Sequence, residues 1–339
     1  MKLIKTEDAV GHVLCHDLTR IVKGEFKDAQ FRKGHVVCPE DVPMLLSMGK
    51  EHLYVWEMMP GMLHENEAAE RLYAITRGPH MARSEVKEGK IELFTEADGL
   101  FRADLEKLTA INSIGDIIIA TRHTGTAVQA GDKLAGMRVI PLTVPEALLE
   151  QAEAVAGTEP ILSLLPFVRK TAAVLATGSE VKKGLIQDTF TPVLEEKLAA
   201  YGVSVELRSH TGDERADIVA AIHEARAAGV DMILCTGGMS VDPDDNTPGA
   251  IRESGPRIVS YGAPVLPGAM FLLGYFEDGL PIMGLPGCVM YAGATVFDLL
   301  LPRILADVAV TRSDIAAMGN GGLCLGCKPC RYPICPFGK

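Results

Sequence analysis

Apolar and polar positions follow different patterns in the two halves of this chain. From about residue 170 to residue 310, short apolar runs alternate with longer segments whose apolar side chains recur at helical spacing. The run 172–177, for example, is followed by a segment with Leu194 and Leu198 on one helical face. Strands that alternate with helices in this way build a parallel or mixed sheet covered by helices. We therefore predict an α/β domain over residues 169–312.

The first half of the chain carries shorter apolar runs and fewer helical patterns. They predict a small α+β module over residues 1–60 and a β-rich mixed region over residues 61–168. The apolar run 117–121 is typical of a strand buried on both faces, and the Gly- and Thr-rich run 125–133 predicts an exposed turn. The predicted strands are 18–22, 36–38, 52–56, 89–94, 117–121 and 138–142, and the predicted helices are 39–49, 65–77, 104–108 and 145–156.

The last helix of the α/β domain is predicted to begin near Cys288 and to kink or stop at Pro302, because proline lacks the amide hydrogen that a helix interior requires. The uncharged segment 279–297 is about as long as a membrane span, but prolines and glycines interrupt it. Residues 1–10 mix charged and apolar side chains, unlike a secretory signal. A cytoplasmic protein without a membrane partner is the expectation.

The composition limits the partners that this chain can bind. At 339 residues it is long enough for more than one domain. Its formal net charge of −11 argues against a nucleic-acid or anionic-membrane partner, because either would require an extended basic face. An anionic ligand would therefore have to be held locally, by dipoles, a metal ion or a few cationic side chains.

Two Thr-Gly turns follow predicted strands of the α/β domain, one at 177–179 and one at 236–240. Glycine lets backbone N–H groups crowd around an anion at such a turn. Acidic residues on three loops at the same predicted sheet edge indicate a divalent cation such as Mg²⁺, which would bridge carboxylates and substrate phosphates. These acids are Glu180, Asp188, Asp213, Asp242, Asp244 and Asp245. The alternative is that Asp188 and Asp245 are helix N-caps and that the other acids are solvated.

These motifs resemble the molybdopterin-binding domain that molybdopterin adenylyltransferases and molybdopterin molybdotransferases share. The resemblance is carried by Thr177-Gly178-Ser179-Glu180-Val181 with Asp188, by Thr236-Gly237-Gly238-Met239-Ser240 with Asp245, Thr247, Pro248 and Ala250, and by Gly284-Leu285-Pro286-Gly287. It implies binding of molybdopterin or adenylylated molybdopterin and a transferase role in molybdenum cofactor biosynthesis. The implied reaction is Mg²⁺-dependent adenylyl transfer or molybdate insertion, with ATP or molybdate as co-substrate.

The resemblance also implies roles for individual residues. Glu180, Asp213 and Asp245 would be catalytic and would hold the metal ion. The residues that would bind the cofactor through its phosphate and pterin are Thr177, Gly178, Ser179, Asp188, Thr236, Gly237, Gly238, Ser240, Thr247, Pro286 and Gly287. Lys182 and Lys183 follow the first turn and could supply positive charge. A homo-oligomer, or contact with a molybdoenzyme, is the expected assembly.

Two departures from the family pattern favour a different function. The molybdotransferases usually continue Leu-Pro-Gly with Asn-Pro, whereas Cys288-Val289 follows here. Their Ser-x-Met-Asp-Gly signature is absent from residues 1–165. The alternative to an enzyme is therefore a non-catalytic molybdenum cofactor carrier or sensor with a metal or redox tail.

Four of the eight cysteines stand close together near the end of the chain, at Cys324, Cys327, Cys330 and Cys335. The two-residue gaps let successive thiolates face one centre. Four thiolates suit tetrahedral zinc or an iron–sulfur cluster. We predict that residues 313–339 form a Cys-rich metal-binding tail, with free thiols or a redox-sensing dithiol pair as the alternatives.

Overall fold

The computed structural model describes residues 2–22, 26–55, 60–182, 185, 187–240, 242 and 245–339. Contacts between residues divide the chain into two units. Unit 1 comprises Met1–Ala97, Phe101–Thr124 and Gln129–Leu164, and unit 2 comprises Asp98–Leu100, Gly125–Val128 and Leu165–Lys339. The finer predicted divisions at residues 60 and 312 stay predictions.

The strands up to residue 166 are short. They are Lys2–Lys5 (β1), Leu18–Val22 (β2), Phe26–Phe31 (β3), His52–Val55 (β4), Met62–His64 (β5), Met81–Arg83 (β6), Ile91–Thr95 (β7), Gly99–Ala103 (β8), Ile117–Thr121 (β9), Thr126–Val128 (β10), Lys133–Val139 (β11), Thr143–Pro145 (β12) and Leu162–Pro166 (β13). The helices in the same part of the chain are Asp41–Ser47 (α1), Glu65–Thr76 (α2), Leu105–Asn112 (α3) and Glu146–Ala156 (α4).

Antiparallel pairing builds the sheets of unit 1. The four-stranded sheet has the order β6-β7-β11-β9, and three two-stranded sheets pair β1 with β4, β2 with β3 and β5 with β12. One face of β9 is solvated, because burial alternates along the strand and Ile118 is 40% exposed. The prediction that 117–121 is buried on both faces is therefore wrong, since an antiparallel sheet commonly covers only one of its faces.

Two other short segments of the first half differ from their predictions. The predicted turn 125–133 contains strand β10, and the predicted strand 36–38 is reduced to an isolated bridge between Val13 and Val36. A segment of three or four residues is too short for its apolar pattern to distinguish a strand from a turn. Whether such a segment forms a strand therefore depends on the neighbouring segments with which it can pair. The predicted helices over 65–77 and 145–156 are present within one residue of their predicted ends.

From residue 171 to residue 261 strands alternate with helices, and the last three strands then follow one another without a helix between them. The strands are Thr171–Thr177 (β14), Ser204–Thr211 (β15), Met232–Thr236 (β16), Arg257–Tyr261 (β17), Leu272–Tyr275 (β18) and Pro281–Leu285 (β19). The helices are Ser179–Lys182 (α5), Phe190–Ala199 (α6), Arg215–Ala227 (α7), Thr247–Glu253 (α8), Val296–Leu305 (α9) and Arg312–Ala317 (α10), with a 3-10 turn at Gly287–Met290.

One six-stranded sheet with the order β15-β14-β16-β19-β18-β17 forms the centre of unit 2. The first four strands are parallel, and β18 runs antiparallel to both of its neighbours. Along β14, Ala173 and Leu175 join the core that contains residues of α7 and α8, whereas Ala172 and Val174 join the core that contains residues of α6 and α9. The sheet is therefore covered by helices on both faces, which confirms the predicted α/β class.

Helix α9 begins later than predicted and does not end at its proline. Cys288 lies in the 3-10 turn, and α9 begins at Val296, directly after its N-cap Thr295, which forms a capping box with Asp298. Pro302 lies inside the helix, which continues to Leu305. The Asp298 carbonyl, which Pro302 leaves without an amide donor, accepts a hydrogen bond from the Tyr332 hydroxyl at 3.0 Å. This replacement donor satisfies the carbonyl, and the helix continues beyond Pro302. No helix in the described part of the chain combines the length and apolar character of a membrane span.

Candidate functional site

The carboxyl ends of four parallel strands meet at one edge of the unit 2 sheet. β14, β15 and β16 end at Thr177, Thr211 and Thr236, and β19 ends at Leu285. The turns that the sequence predicts to bind phosphate follow these strands directly. Because parallel strands run in one direction, the loops after them lie side by side, and ligands of open α/β sheets bind there.

Thr177 ties the two Thr-Gly turns together. Its hydroxyl donates to the carbonyl of Thr236 at 2.9 Å and lies 3.1 Å from the hydroxyl of Thr247. Thr247 in turn donates its backbone N–H to the carbonyl of Gly238 at 3.3 Å. The predicted binding residues Thr177, Gly238 and Thr247 therefore form one hydrogen-bonded group.

Gly237 and Gly238 approach this group too closely for any other residue. Both have positive φ, at 80° and 54°. A Cβ atom on Gly237 would lie 2.2 Å from the carbonyl oxygen of Thr177, and one on Gly238 would lie 3.0 Å from the hydroxyl of Thr247. The absence of side chains here lets the second turn pack directly against Thr177 and Thr247, so that the backbones of the two turns lie close together.

Asp213 holds the first turn from the neighbouring loop. Its Oδ2 accepts the backbone N–H of Ser179 at 2.9 Å, and its own carbonyl accepts the side-chain amide of Asn246 at 3.0 Å. Asp213 thus connects the turns after β14, β15 and β16. The side chain of Glu180, and Lys183 and Asp244 as a whole, lie outside the described residues.

Asp245 lies at the start of the second loop's helix with its carboxylate partly exposed. Its backbone N–H donates to the carbonyl of Asp242 at 3.0 Å. Among the residues that the structure describes, no group of three or more His, Cys, Asp or Glu side chains is arranged to hold a metal ion. The predicted metal role of Asp213 and Asp245 therefore stays a prediction.

Asp188 stabilises the start of helix α6. Its Oδ1 accepts the backbone N–H groups of Phe190 and Thr191 at 2.9 and 3.1 Å, and its Oδ2 lies 2.9 Å from Nε2 of His210. Burial acts to raise the pKa of Asp188, but the hydrogen bonds from Thr191, His210 and the helix outweigh it and lower the pKa. The carboxylate is therefore engaged in capping, which was the alternative role, and its predicted contact with the cofactor stays a prediction.

Tyr261 anchors the second turn, although no sequence motif selects it. Its hydroxyl donates to the carbonyls of Met239 and Ser240 at 3.0 and 3.3 Å, and the guanidinium of Arg252 lies 5.3 Å from its ring centre. Burial raises the pKa of Tyr261, as does the charge of Asp245, while Arg252 opposes both. No local motif could have identified this tyrosine, because it ends a strand about twenty residues further along the chain.

The predicted Gly-Leu-Pro-Gly turn follows β19, the fourth strand of this edge. A Cβ atom on Gly284 would lie 2.6 Å from the sulfur of Met239, so this glycine makes room for the second turn. Pro286 is buried, whereas Gly287 is exposed and a Cβ atom on it would meet nothing within 4 Å. The protein itself thus gives no steric reason for glycine at position 287.

Two buried hydroxyl groups at the same edge have no hydrogen-bond partner among the described residues. The side chain of Thr236 is 1% exposed and that of Thr211 is 6% exposed, and neither Oγ1 atom has a donor or an acceptor in range. Buried hydroxyl groups are nearly always paired in folded proteins. Their positions at the ends of β16 and β15 indicate groups that a ligand or water completes.

None of the four cysteines of the tail is in a disulfide. Cys324 and Cys335 are half-buried against the core of unit 2, and Cys327 and Cys330 are exposed. The tail is held by other residues: Phe337 is buried in that core, and the backbone of Cys324 donates to the carbonyl of Leu266 at 2.8 Å. The predicted zinc or iron–sulfur centre stays a prediction.

Known protein families match two parts of the chain. Residues 173–306, which contain the strand ends and turns described above, match the family model described as "Probable molybdopterin binding domain". This match confirms the predicted resemblance of these residues to the molybdopterin-binding domain. Residues 3–57 match a second model, described as "Domain of unknown function (DUF8806)".

Curated proteins that are similar to part of this chain include a molybdopterin molybdenumtransferase and CinA-like proteins. A molybdopterin molybdenumtransferase of Synechococcus elongatus is 26% identical over 206 residues, which are 57% of this chain and 49% of that protein. A CinA-like protein of Myxococcus xanthus is 40% identical over 74 residues, which are 22% of this chain and 17% of that protein. The chain thus spans about half the length, or less, of these relatives.

Solved structures are similar to part of the chain. The molybdopterin biosynthesis enzyme MoaB of Thermus thermophilus is 21% identical with a TM-score of 0.34, over 42% of this chain and 98% of that one. The tungsten cofactor synthesizing protein MoaB of Pyrococcus furiosus is 18% identical with a TM-score of 0.35, over 42% of this chain and 98% of that one.

Proposed function

We propose that this protein binds molybdopterin at the edge formed by β14, β15, β16 and β19 and acts in molybdenum cofactor biosynthesis. The observation that carries the proposal is the close packing of the two Thr-Gly turns at this edge, where Gly237 and Gly238 lie against Thr177 and Thr247 and hydrogen bonds join the turns. The family match over residues 173–306 supports molybdopterin as the ligand.

The residues of these turns suit a phosphate and a pterin. Glycines with positive φ present backbone N–H groups to an anion, and the unpaired hydroxyl groups of Thr211 and Thr236 can donate further hydrogen bonds. The net charge of −11 repels an anionic ligand at long range. Backbone and hydroxyl dipoles that contact the anion directly would offset this repulsion. The Pro286-Gly287 turn would form a wall on the pterin side.

The catalytic form of the proposal adds Mg²⁺. Mg²⁺ is usually held by one or two carboxylates together with substrate phosphates, so it does not require a preformed group of three ligands. Glu180, Asp213 and Asp245 would hold it, and the ion would offset negative charge on the phosphates during adenylyl transfer from ATP or insertion of molybdate. The residues of the two Thr-Gly turns would position the cofactor phosphate and exclude water around it.

Binding and catalysis are tested separately on the purified full chain. Binding is measured by titration with molybdopterin and with adenylylated molybdopterin, and catalysis by pyrophosphate release with Mg²⁺-ATP or AMP release with molybdate. We expect Asp245→Ala to abolish turnover, with Glu277→Ala, an acid of another loop, as the control. Absence of binding of either cofactor form to the wild-type chain would refute the proposal.

A non-catalytic carrier or sensor is the second candidate function. The observation that favours it is Cys288, which stands where the molybdotransferases continue the Leu-Pro-Gly turn with asparagine. A carrier would bind the cofactor tightly and release neither pyrophosphate nor AMP under the conditions above. Its partner would be a molybdoenzyme or a second copy of the chain, which size-exclusion measurements with and without cofactor distinguish.

We also propose a zinc or iron–sulfur centre at Cys324, Cys327, Cys330 and Cys335. Four thiolates with two-residue gaps are the supporting pattern, and metal binding would draw the exposed and half-buried cysteines together. Metal analysis of the purified chain should give about one zinc, or iron with visible absorption. Cys330→Ser should remove the metal, and Cys38→Ser, an exposed cysteine elsewhere, should not.

A further inference from the structure

Thr211 lies beside the first Thr-Gly turn, although no sequence motif selected it. Its carbonyl accepts the backbone N–H of Gly178 at 3.1 Å, and the register of β14 and β15 pairs it with Thr177. Paired residues on neighbouring strands point to the same face of a sheet. The side chains of Thr211 and Thr177 therefore share the face on which Thr177 contacts Thr247.

The hydroxyl of Thr211 differs from that of Thr177 in its hydrogen bonding. Thr177 is hydrogen-bonded to two partners, whereas Oγ1 of Thr211 is buried with no donor or acceptor in the part of the chain that the structure describes. A valine of the same shape would fill the position without leaving an unpaired polar group, so the hydroxyl costs stability in the ligand-free protein. Such a cost is typical of groups kept for binding.

The surroundings of Thr211 favour an oxyanion as the missing partner. A Cβ atom on the next residue, Gly212, would lie 3.6 Å from the ammonium of Lys182, which also pairs with Asp217 at 2.8 Å. Helix α7 has thirteen residues and begins at Arg215 without a side-chain cap on its first N–H groups. A cation and an uncapped helix N-terminus next to an unpaired hydroxyl suit a phosphate.

We propose that the hydroxyl of Thr211 donates a hydrogen bond to a phosphate oxygen of the bound ligand. This inference rests on the proposed function of the same site. The phosphate oxygen can belong to the phosphate monoester of molybdopterin or to a phosphate of ATP. Thr211 would then be a binding residue between the turn after β14 and the start of α7.

The test compares Thr211→Val with Thr211→Ser in the full chain. Each variant and the wild type are titrated with molybdopterin and, separately, with Mg²⁺-ATP and with inorganic pyrophosphate, and the thermal midpoint of the ligand-free protein is measured. We expect Thr211→Val to bind about tenfold more weakly to the ligand whose phosphate the hydroxyl contacts. Thr211→Ser should retain the affinity, and ligand-free Thr211→Val should melt at or above the wild-type midpoint.

The outcomes separate this inference from the proposed function. Wild-type binding that Thr211→Val leaves unchanged overturns the inference and leaves the proposed function in place. A ligand-free Thr211→Val that melts well below the wild type also overturns it, because the hydroxyl would then have a structural partner. If the wild type binds pyrophosphate in a Thr211-dependent way but not molybdopterin, the inference stands and the proposed function fails. If no ligand binds, both fail.

Discussion

Gly237 lies in the second Thr-Gly turn and Gly287 in the Gly-Leu-Pro-Gly turn, but the structure gives only Gly237 a steric reason to be glycine. Gly237 has a positive φ, and a Cβ atom on it would lie 2.2 Å from a backbone oxygen. A Cβ atom on Gly287 would meet nothing within 4 Å. We expect Gly237→Ala to lower the free energy of unfolding by about 1–3 kcal/mol. We expect Gly287→Ala to change it by less than about 0.5 kcal/mol and to weaken binding of molybdopterin.

Urea unfolding and cofactor titration of both variants check this prediction. The paired design separates stability from binding, because only one of the two glycines is required by the fold. Equal unfolding midpoints for the two variants would contradict the assignment of Gly237. Unchanged cofactor affinity in Gly287→Ala would remove Gly287 from the pterin wall.

His64 is held neutral in unit 1 at the start of helix α2. Its Nδ1 lies 3.1 Å from the backbone N–H of Asn66, which donates to it, and 3.0 Å from the ammonium of Lys33, while Nε2 lies 2.6 Å from the carbonyl of Cys15. Burial lowers the pKa of His64 below its ordinary value, and Lys33 lowers it further, although the bond to Cys15 opposes them. Protonation would therefore disrupt the helix cap.

This pKa shift predicts how stability depends on pH. The unfolded chain takes up a proton on His64 more readily than the folded protein, so the stabilisation present above about pH 6.5 is lost as the pH falls toward the folded-state pKa. In His64→Asn, which keeps a capping acceptor, the decline in unfolding free energy between pH 7.5 and pH 5 should be shallower, as urea titrations would measure. His223→Asn, an exposed control, should follow the wild type, and an unaltered slope in His64→Asn would count against this account.

At the scale of elements, helix α9 and the tail depend on each other. Pro302 leaves the carbonyl of Asp298 without an amide donor, and the hydroxyl of Tyr332 from the tail supplies one at 3.0 Å. Burial raises the pKa of Tyr332, so the hydroxyl keeps its proton at all ordinary pH values. The tail thus supplies a hydrogen-bond donor to helix α9, and this contact does not depend on metal binding by the cysteines.

Removing this hydroxyl should destabilise unit 2 without changing its packing. We expect Tyr332→Phe to lower the free energy of unfolding by about 1–2 kcal/mol, because a buried carbonyl loses its donor. Guanidinium unfolding followed by circular dichroism measures the effect, and Tyr291→Phe, at a tyrosine 78% exposed, is the matched control. Equal stability of the two variants would show that water replaces the hydroxyl.

At the scale of the whole molecule, the net charge of −11 opposes a phosphate ligand. A site built from local dipoles in an acidic protein should bind its anion faster as salt screens the long-range repulsion. We therefore expect the association rate of molybdopterin, measured by stopped flow at constant Mg²⁺, to rise with ionic strength. A neutral pterin without phosphate should show no such dependence, and a falling rate for molybdopterin would indicate a basic binding surface instead.

What the sequence determined by itself was the local chemistry. Strand and helix periods in residues 170–310, the two Thr-Gly turns and the order of the motifs predicted the α/β sheet and the sheet edge where Thr177, Gly237 and Gly238 meet, because periodicity and turn chemistry act between near neighbours. Where the segments were short or the pattern was weak, as at 36–38 and 125–133, the predicted secondary structure was wrong.

Only the tertiary structure decided which distant groups complete these local features. Asp188 caps α6 beside His210, Tyr261 contacts the second turn, and Tyr332 donates to the carbonyl that Pro302 leaves unpaired. The hydroxyl of Thr211 has no partner among the residues that the structure describes. Each of these depends on a hydrogen bond, or on its absence, between segments far apart in the chain. Such partners are set by the packing of the sheet and its helices, which no local pattern of residues encodes.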